Sequence, residues 1–145
     1  MFAEPTLRLT EAGYETILAH CYDGLPDEAC GMLAGRLRAG TTIPEGRVDV
    51  VYPCANADAS ARTYTVAPRD LLAAMRDAES RGLEIVGVYH SHTHTEAWPS
   101  PTDVRQAADP SWLYVIVSLK DGDPVLRGFR IQDGNISEVA AVLEM

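Results

Sequence analysis

Tyr89-His90-Ser91-His92-Thr93-His94-Thr95-Glu96-Ala97-Trp98-Pro99-Ser100-Pro101-Thr102-Asp103 is the stretch on which the reading of this chain turns. The run before it, Leu83-Glu84-Ile85-Val86-Gly87-Val88, is short and β-branched and predicts a buried strand. That strand carries His90 and His92 at its C-terminal end, on one face, with Cβ atoms roughly 6–7 Å apart. Two imidazoles so placed can converge on one metal, because Zn–N bonds are about 2 Å long. Downstream, Ser100 has the character of a helix N-cap and Pro101 that of a first helical residue. A strand end and a helix start thus face each other across a short loop and offer two nitrogens and the Asp103 carboxylate. Taken alone, the two histidines could equally be exposed polar residues. Ser100 and Asp103 could equally be an ordinary capping box.

The rest of the chain sets the frame. A chain of 145 residues is one domain, long enough for a substantial core. Its net charge of −9, with scattered Lys and Arg, argues against nucleic acid or an anionic membrane as partner. No segment approaches the roughly 20 apolar residues of a membrane span. Residues 1–10 lack the basic and apolar regions of a signal peptide. Cys21, Cys30 and Cys54 form no C-x-x-C pair, which fits unpaired thiols in a reducing cytoplasm. Cys30 lies two residues after Glu28 and has to be weighed as a nucleophile, although a free cysteine is more often a small buried hydrophobe.

In chain order, Thr10 caps a helix whose stripe is Tyr14, Ile17, Leu18 and Cys21, ended by Gly24 as a left-handed C-cap. Leu25–Glu28 is a connector. Strands are expected at Ala29–Leu37, Arg47–Tyr52 and Thr63–Val66. Pro68 opens a second helix with Leu71, Leu72, Met75 and Ala78 on its core face, ended by Gly82. After the histidine strand and a helix from Pro101 to about Ala108, strands at 112–119, 124–132 and 136–143 read as an antiparallel meander. The expectation is one mixed α/β domain, a sheet of about six strands with helices packed on it.

The spacing H-x-H-x7-S-x2-D, with Glu-Ala-Cys-Gly at 28–31, resembles the JAMM (MPN+) metalloprotease signature. The order of elements is similar over nearly the whole chain. The resemblance implies a single-domain MPN/JAMM fold, a mixed and mostly antiparallel sheet with flanking helices layered as in cytidine deaminases. It implies one zinc ion per chain, held by His90, His92 and Asp103, with an open position for water. Glu28 takes the place of the family's catalytic Glu as general base and acid. Ser100 both caps its helix and donates to the developing oxyanion. Ser91 faces the other side of the strand and reads as structural. His94 continues the alternation, but lies past the strand, where a loop need not keep it.

The chain looks most like the compact bacterial branch, whose members process small ubiquitin-like sulfur-carrier proteins. Thr93 departs from the Pro that many relatives carry there, a change expected to touch loop stiffness and not the chemistry. By resemblance the substrate is the Gly-Gly tail of such a carrier. The tail is expected to lie extended along a strand edge and to pass a narrow gap between Trp98 and the metal, releasing cysteine or a short peptide. A deubiquitinase-like isopeptidase and a metal-free scaffold module are the alternatives. A zinc deaminase would need H-x-E and C-x-x-C, and the latter is absent. The oligomeric state stays open, with a homodimer possible.

Overall fold

The computed structural model describes residues 6–145, so the signal-peptide reading of the first five lies outside the described residues. These residues form β1 (Leu7–Thr10), α1 (Glu11–Asp23), β2 (Cys30–Leu37), β3 (Pro44–Cys54), α2 (Pro68–Ser80) and β4 (Glu84–His92). α3 (Pro101–Gln106), β5 (Leu113–Ser118), β6 (Val125–Gln132), β7 (Asn135–Val139) and β8 (Ala141–Glu144) complete the chain. One eight-stranded sheet has the order β7-β6-β5-β4-β2-β3-β1-β8. It is mixed: β1–β3, β1–β8 and β4–β5 are parallel, and the other four pairs are antiparallel.

Only Ala140 separates β7 from β8, yet these two strands stand at opposite ends of the order. The sheet therefore curls until its edges approach, and the Leu7 N–H donates to the Ala140 carbonyl at 2.8 Å. Inside the curl sits α1. Its Thr10 cap accepts from the Gly13 N–H at 3.0 Å, and Ile17 and Cys21 are fully buried among Leu7, Leu9, Leu33, Leu113, Val115 and Val139. The outer face is covered by α2, α3 and the loops around them, with Met32, Val88, Tyr114, Ile116 and Phe129 at its centre.

Several expectations need correction. The sheet has eight strands, not about six: Leu7–Thr10 adds one before the helix that Thr10 caps, and 136–143 is two strands, because Ala140 carries the chain from one sheet edge to the other. β3 is longer than expected, and Thr63–Val66 keeps only an isolated bridge between Val66 and Asn56. Gly24 stays right-handed (φ −76°), its N–H bonded to the carbonyls of His20 and Tyr22, so no left-handed cap forms. On α2 the buried residues are Ala74 and Ala78, whereas Leu72 and Met75 are about half exposed.

β4 lies between β2 and β5, so both of its edges are taken. Side chains alternate from Val88 onward: Tyr89 and Ser91 point toward α1, while Val88, His90 and His92 point to the outer face. The Tyr89 ring crosses to β2 over Gly31, its register partner, and its hydroxyl reaches His20 Nδ1 at 2.6 Å. A Cβ at Gly31 would fall on that ring and 2.5 Å from the Tyr52 carbonyl oxygen. Gly31→Ala should therefore lower stability by about 1–3 kcal/mol through overpacking, read as a reduced urea midpoint with an unchanged slope.

Candidate active site

The last residues of β4 and the first turn of α3 bring three atoms together. His90 Nε2 lies 3.1 Å from His92 Nε2, and Asp103 Oδ2 lies 3.2 Å from the first and 3.0 Å from the second. Both histidines are buried, and Asp103 nearly so. Each member is oriented by a further bond. The His92 Nδ1–H donates to the Glu96 carbonyl at 2.7 Å, which leaves a lone pair on Nε2. Asp103 Oδ2 accepts the Ser100 N–H at 2.9 Å, and Ser100 Oγ accepts the Asp103 N–H at 3.0 Å. The capping box is present, and the same carboxylate oxygen that closes it faces the histidines.

Lone pairs on His92 Nε2 and Asp103 Oδ2 at 3.0 Å repel unless a proton or a cation lies between them. The protonation tendencies report the same crowding. Burial, the strongest influence, lowers the pKa of His90. Burial also disfavours the charged ring of His92, but Asp103 and the Glu96 carbonyl outweigh it and raise the value. For Asp103, burial is again opposed, and the bonds from His90 and His92 hold the carboxyl well below its usual range. The spacing suits a metal ion: ligands about 2 Å from zinc in a tetrahedron stand roughly 3.3 Å apart. Among the described residues, these three are the group of His, Cys, Asp or Glu side chains that could hold one.

Glu28 precedes β2 but continues its register. Cys30 pairs with His90, and the backbone and hydroxyl of Ser91 bond Ala29 at 3.0 and 2.8 Å, so Glu28 falls opposite His92 on the same outer face. Far from an exposed connector carboxylate, it is 5% exposed. Its backbone is clamped by the loop after β3: its N–H donates to the Ser60 carbonyl at 2.8 Å, and its carbonyl accepts from Asn56 Nδ2 at 2.9 Å. Burial pushes its carboxyl up to about 7, with His92 lowering it and Asp103 and Asp58 raising it.

The remaining residues singled out in the sequence separate cleanly. His94 is exposed beyond the strand end and outside the three-atom cluster. Ser91 is buried toward α1 and holds β2 to β4. The Cys30 thiol donates to the Ala55 carbonyl, and burial pushes its pKa up to about 12, which removes the thiolate a nucleophile needs. Thr93 is buried, and its hydroxyl ties the histidine loop to the Ala61 carbonyl at 3.2 Å. Trp98 is half exposed and stands edge-on to Phe129, ring centres 5.3 Å apart. Sequence reasoning missed Tyr64, whose ring stacks on His90 at 4.3 Å, and the Glu96 carbonyl that sets the His92 tautomer. Neither has a signal in the sequence, since both act from irregular loops.

Glu28 generates a pH prediction for the metal-free protein. Its folded pKa is raised from 4.5 to about 7, so the folded state binds the proton more tightly than the unfolded chain. Stability is favoured by protonation and is lost as pH climbs through that window. Glu28→Gln removes the titration. Its Tm should stay near wild type at pH 4.5 or below, and the gap should widen in the variant's favour up to pH 7 and then level off.

Comparison with known proteins identifies the family. The family described as prokaryotic homologs of the JAB domain matches residues 10–132. The CysO-cysteine peptidase of Mycobacterium tuberculosis is 41% identical over 123 residues, 84% of this chain and 80% of that protein. The desampylase of Haloferax volcanii is 34% identical over 117 residues, 77% of this chain and 80% of that protein. The solution structure of a Desulfitobacterium hafniense protein superposes with a TM-score of 0.85 at 38% identity, covering 96% of this chain and 93% of the other. The chain belongs to the prokaryotic JAB-domain family, a single-domain MPN fold with peptidases among its relatives.

Proposed function

We propose that the chain is a zinc peptidase that hydrolyses the amide bond after the C-terminal Gly-Gly of a small ubiquitin-like sulfur-carrier protein. The observation that carries this reading is the convergence of His90, His92 and Asp103 within 3.0–3.2 Å beside the buried carboxyl of Glu28. Those three residues would hold the zinc, which supplies Lewis acidity and a water-derived nucleophile at neutral pH. Glu28 takes the proton of the attacking water and returns it to the leaving amine, for which an apolar, buried carboxyl is suited. Ser100 accepts from the helix through Oγ, so its own hydrogen is available to the carbonyl oxygen as charge develops there.

Substrate approach follows from which backbone edges are taken. Both sides of β4 are paired, so an extended tail needs another edge. Thr63–Val66 supplies one. Its inner side is held by Ala57 N–H to the Thr65 carbonyl and by the Asn56 side chain, whereas Tyr64 and Val66 make no backbone hydrogen bond among the described residues. A tail added to the outer side would run past Tyr64, stacked on His90, toward the three-atom cluster and Trp98. Glycines pass where side chains would clash.

The name of the mycobacterial relative favours cysteine as the released group, and a short peptide is the alternative. The name of the desampylase keeps a conjugate-cleaving, deubiquitinase-like isopeptidase as the second reading. A metal-free scaffold module is disfavoured because the ligand set is complete. Buried, unpaired Cys21, Cys30 and Cys54 suit a reducing compartment, and we assign the chain to the cytoplasm on that basis. No helix among the described residues is long and apolar enough to cross a membrane.

The test offers a CysO–cysteine adduct, a carrier extended by a peptide after Gly-Gly, and a linear ubiquitin fusion side by side, with products read by intact mass. The adduct should be cut most efficiently, and cutting of ubiquitin alone would overturn the carrier assignment. Glu28→Gln should retain metal yet lose about 10²–10⁴ in turnover. Ser100→Ala should lose about 10²–10³ and about 1 kcal/mol of stability with its cap.

A further inference from the structure

We infer that Lys120 recognises the free α-carboxylate of the amino acid that leaves from the Gly-Gly end, so that the enzyme favours a carrier extended by a single residue. This rests on the peptidase reading above and adds to it a specificity residue on the leaving side.

Lys120 is the only lysine in a chain of net charge −9. It follows β5, and its place is fixed by backbone bonds at the end of the metal strand. The Leu119 N–H donates to the His92 carbonyl at 2.9 Å, and Ser118 Oγ ties this corner to the Thr95 carbonyl at 2.5 Å. Lys120 thereby walls an open pocket of about 420 Å³ together with His92, Thr95, Trp98 and Ser100. His94 and Glu96 face the same pocket, and Asp121 and Arg127 face the adjoining one. Arg127 is engaged by Glu138 at 3.8 Å, whereas Lys120 has no ion pair among the described residues.

The direction of the tail decides what this ammonium meets. Thr63–Val66, Glu28 and the loop that clamps it lie on the β2 side of β4, and Lys120 lies on the β5 side. A carrier tail entering along Thr63–Val66 crosses the three-atom cluster and ends in the Lys120 pocket. What lies there is the residue after the scissile bond. If that residue is the last one, it ends in a carboxylate one Cα away from the reacting amide. A longer peptide carries its carboxylate out of reach, and an isopeptide-linked protein has none there. A lysine is suited to this role: a point charge with three donors on a flexible stem reaches a small carboxylate over a range of poses. Glu96 on the same wall adds the opposite requirement, disfavouring a carboxylate that strays from the ammonium.

The experiment uses the full-length protein with the CysO–cysteine adduct as the free acid and as the C-terminal cysteine amide. Wild type should cut the acid with a kcat/KM about 10–100-fold above the amide, the span of one hydrogen bond to a charged group. Lys120→Met should bring that ratio close to one, and Lys120→Arg should largely keep it. The same preference should appear in binding to the inactive Glu28→Gln protein by calorimetry, and vanish when Lys120→Met is added. Equal cutting of acid and amide by wild type, or an unchanged ratio in Lys120→Met, overturns the role of Lys120 and leaves the peptidase reading standing. Cleavage of neither form overturns both.

Discussion

Three polar atoms, two imidazole nitrogens and a carboxylate oxygen, held about 3 Å apart are the constraint around which this molecule is built. Such crowding of buried polar atoms is unfavourable unless a proton or a cation is shared among them. The surrounding structure holds it in place from every side. β2 and β5 pair with both edges of β4, the Glu96 carbonyl fixes the His92 ring, and the Ser100 cap anchors the Asp103 carboxylate. The core does its part from beneath, where Tyr89 and Ser91 bind the same strand to α1 and β2. Only the outward-facing side chains of the strand enter the three-atom cluster.

Glu28 extends this logic one strand over. Its carboxyl is kept in a buried position where ionisation is disfavoured, and a loop with few regular elements of its own does the clamping. Residues 55–67 therefore serve two ends: they seat the carboxyl from behind, and they present Tyr64 and an unpaired backbone edge to whatever approaches. A buried acid with a raised pKa is a destabilising feature on the stability ledger and a useful one for proton transfer, the usual trade at an active site.

The candidate site was readable from the sequence because its parts are local. His90, His92, Ser100 and Asp103 fall within 14 residues, and strand alternation and helix capping are short-range rules. Their roles as a ligand set and an oxyanion donor, like that of Glu28, came from the family resemblance, and the burial of Glu28 depends on a β2–β4 register that no short-range rule gives. The closure of the sheet was unreadable for a related reason. β1 and β8 have four residues each and pair across more than 130 positions, so neither carries enough pattern to announce its partner. Leu72 and Met75 misled because helical periodicity marks an apolar stripe without saying which part of it is covered; small Ala74 and Ala78 take the contact with the sheet. Thr63–Val66 has strand composition but a partner on one side only, which composition cannot distinguish from a full strand.

A two-histidine, one-carboxylate set is used by zinc hydrolases and also by iron enzymes, so the identity of the ion is the central claim in its sharpest form. The direct measurement is anomalous diffraction at the zinc and iron edges from crystals of protein purified without chelators. This account predicts one peak per chain at the zinc edge, about 2 Å from His90 Nε2, His92 Nε2 and Asp103 Oδ2, and its loss in His92→Ala. A peak at the iron edge in its place, or no peak after soaking with zinc, would contradict it.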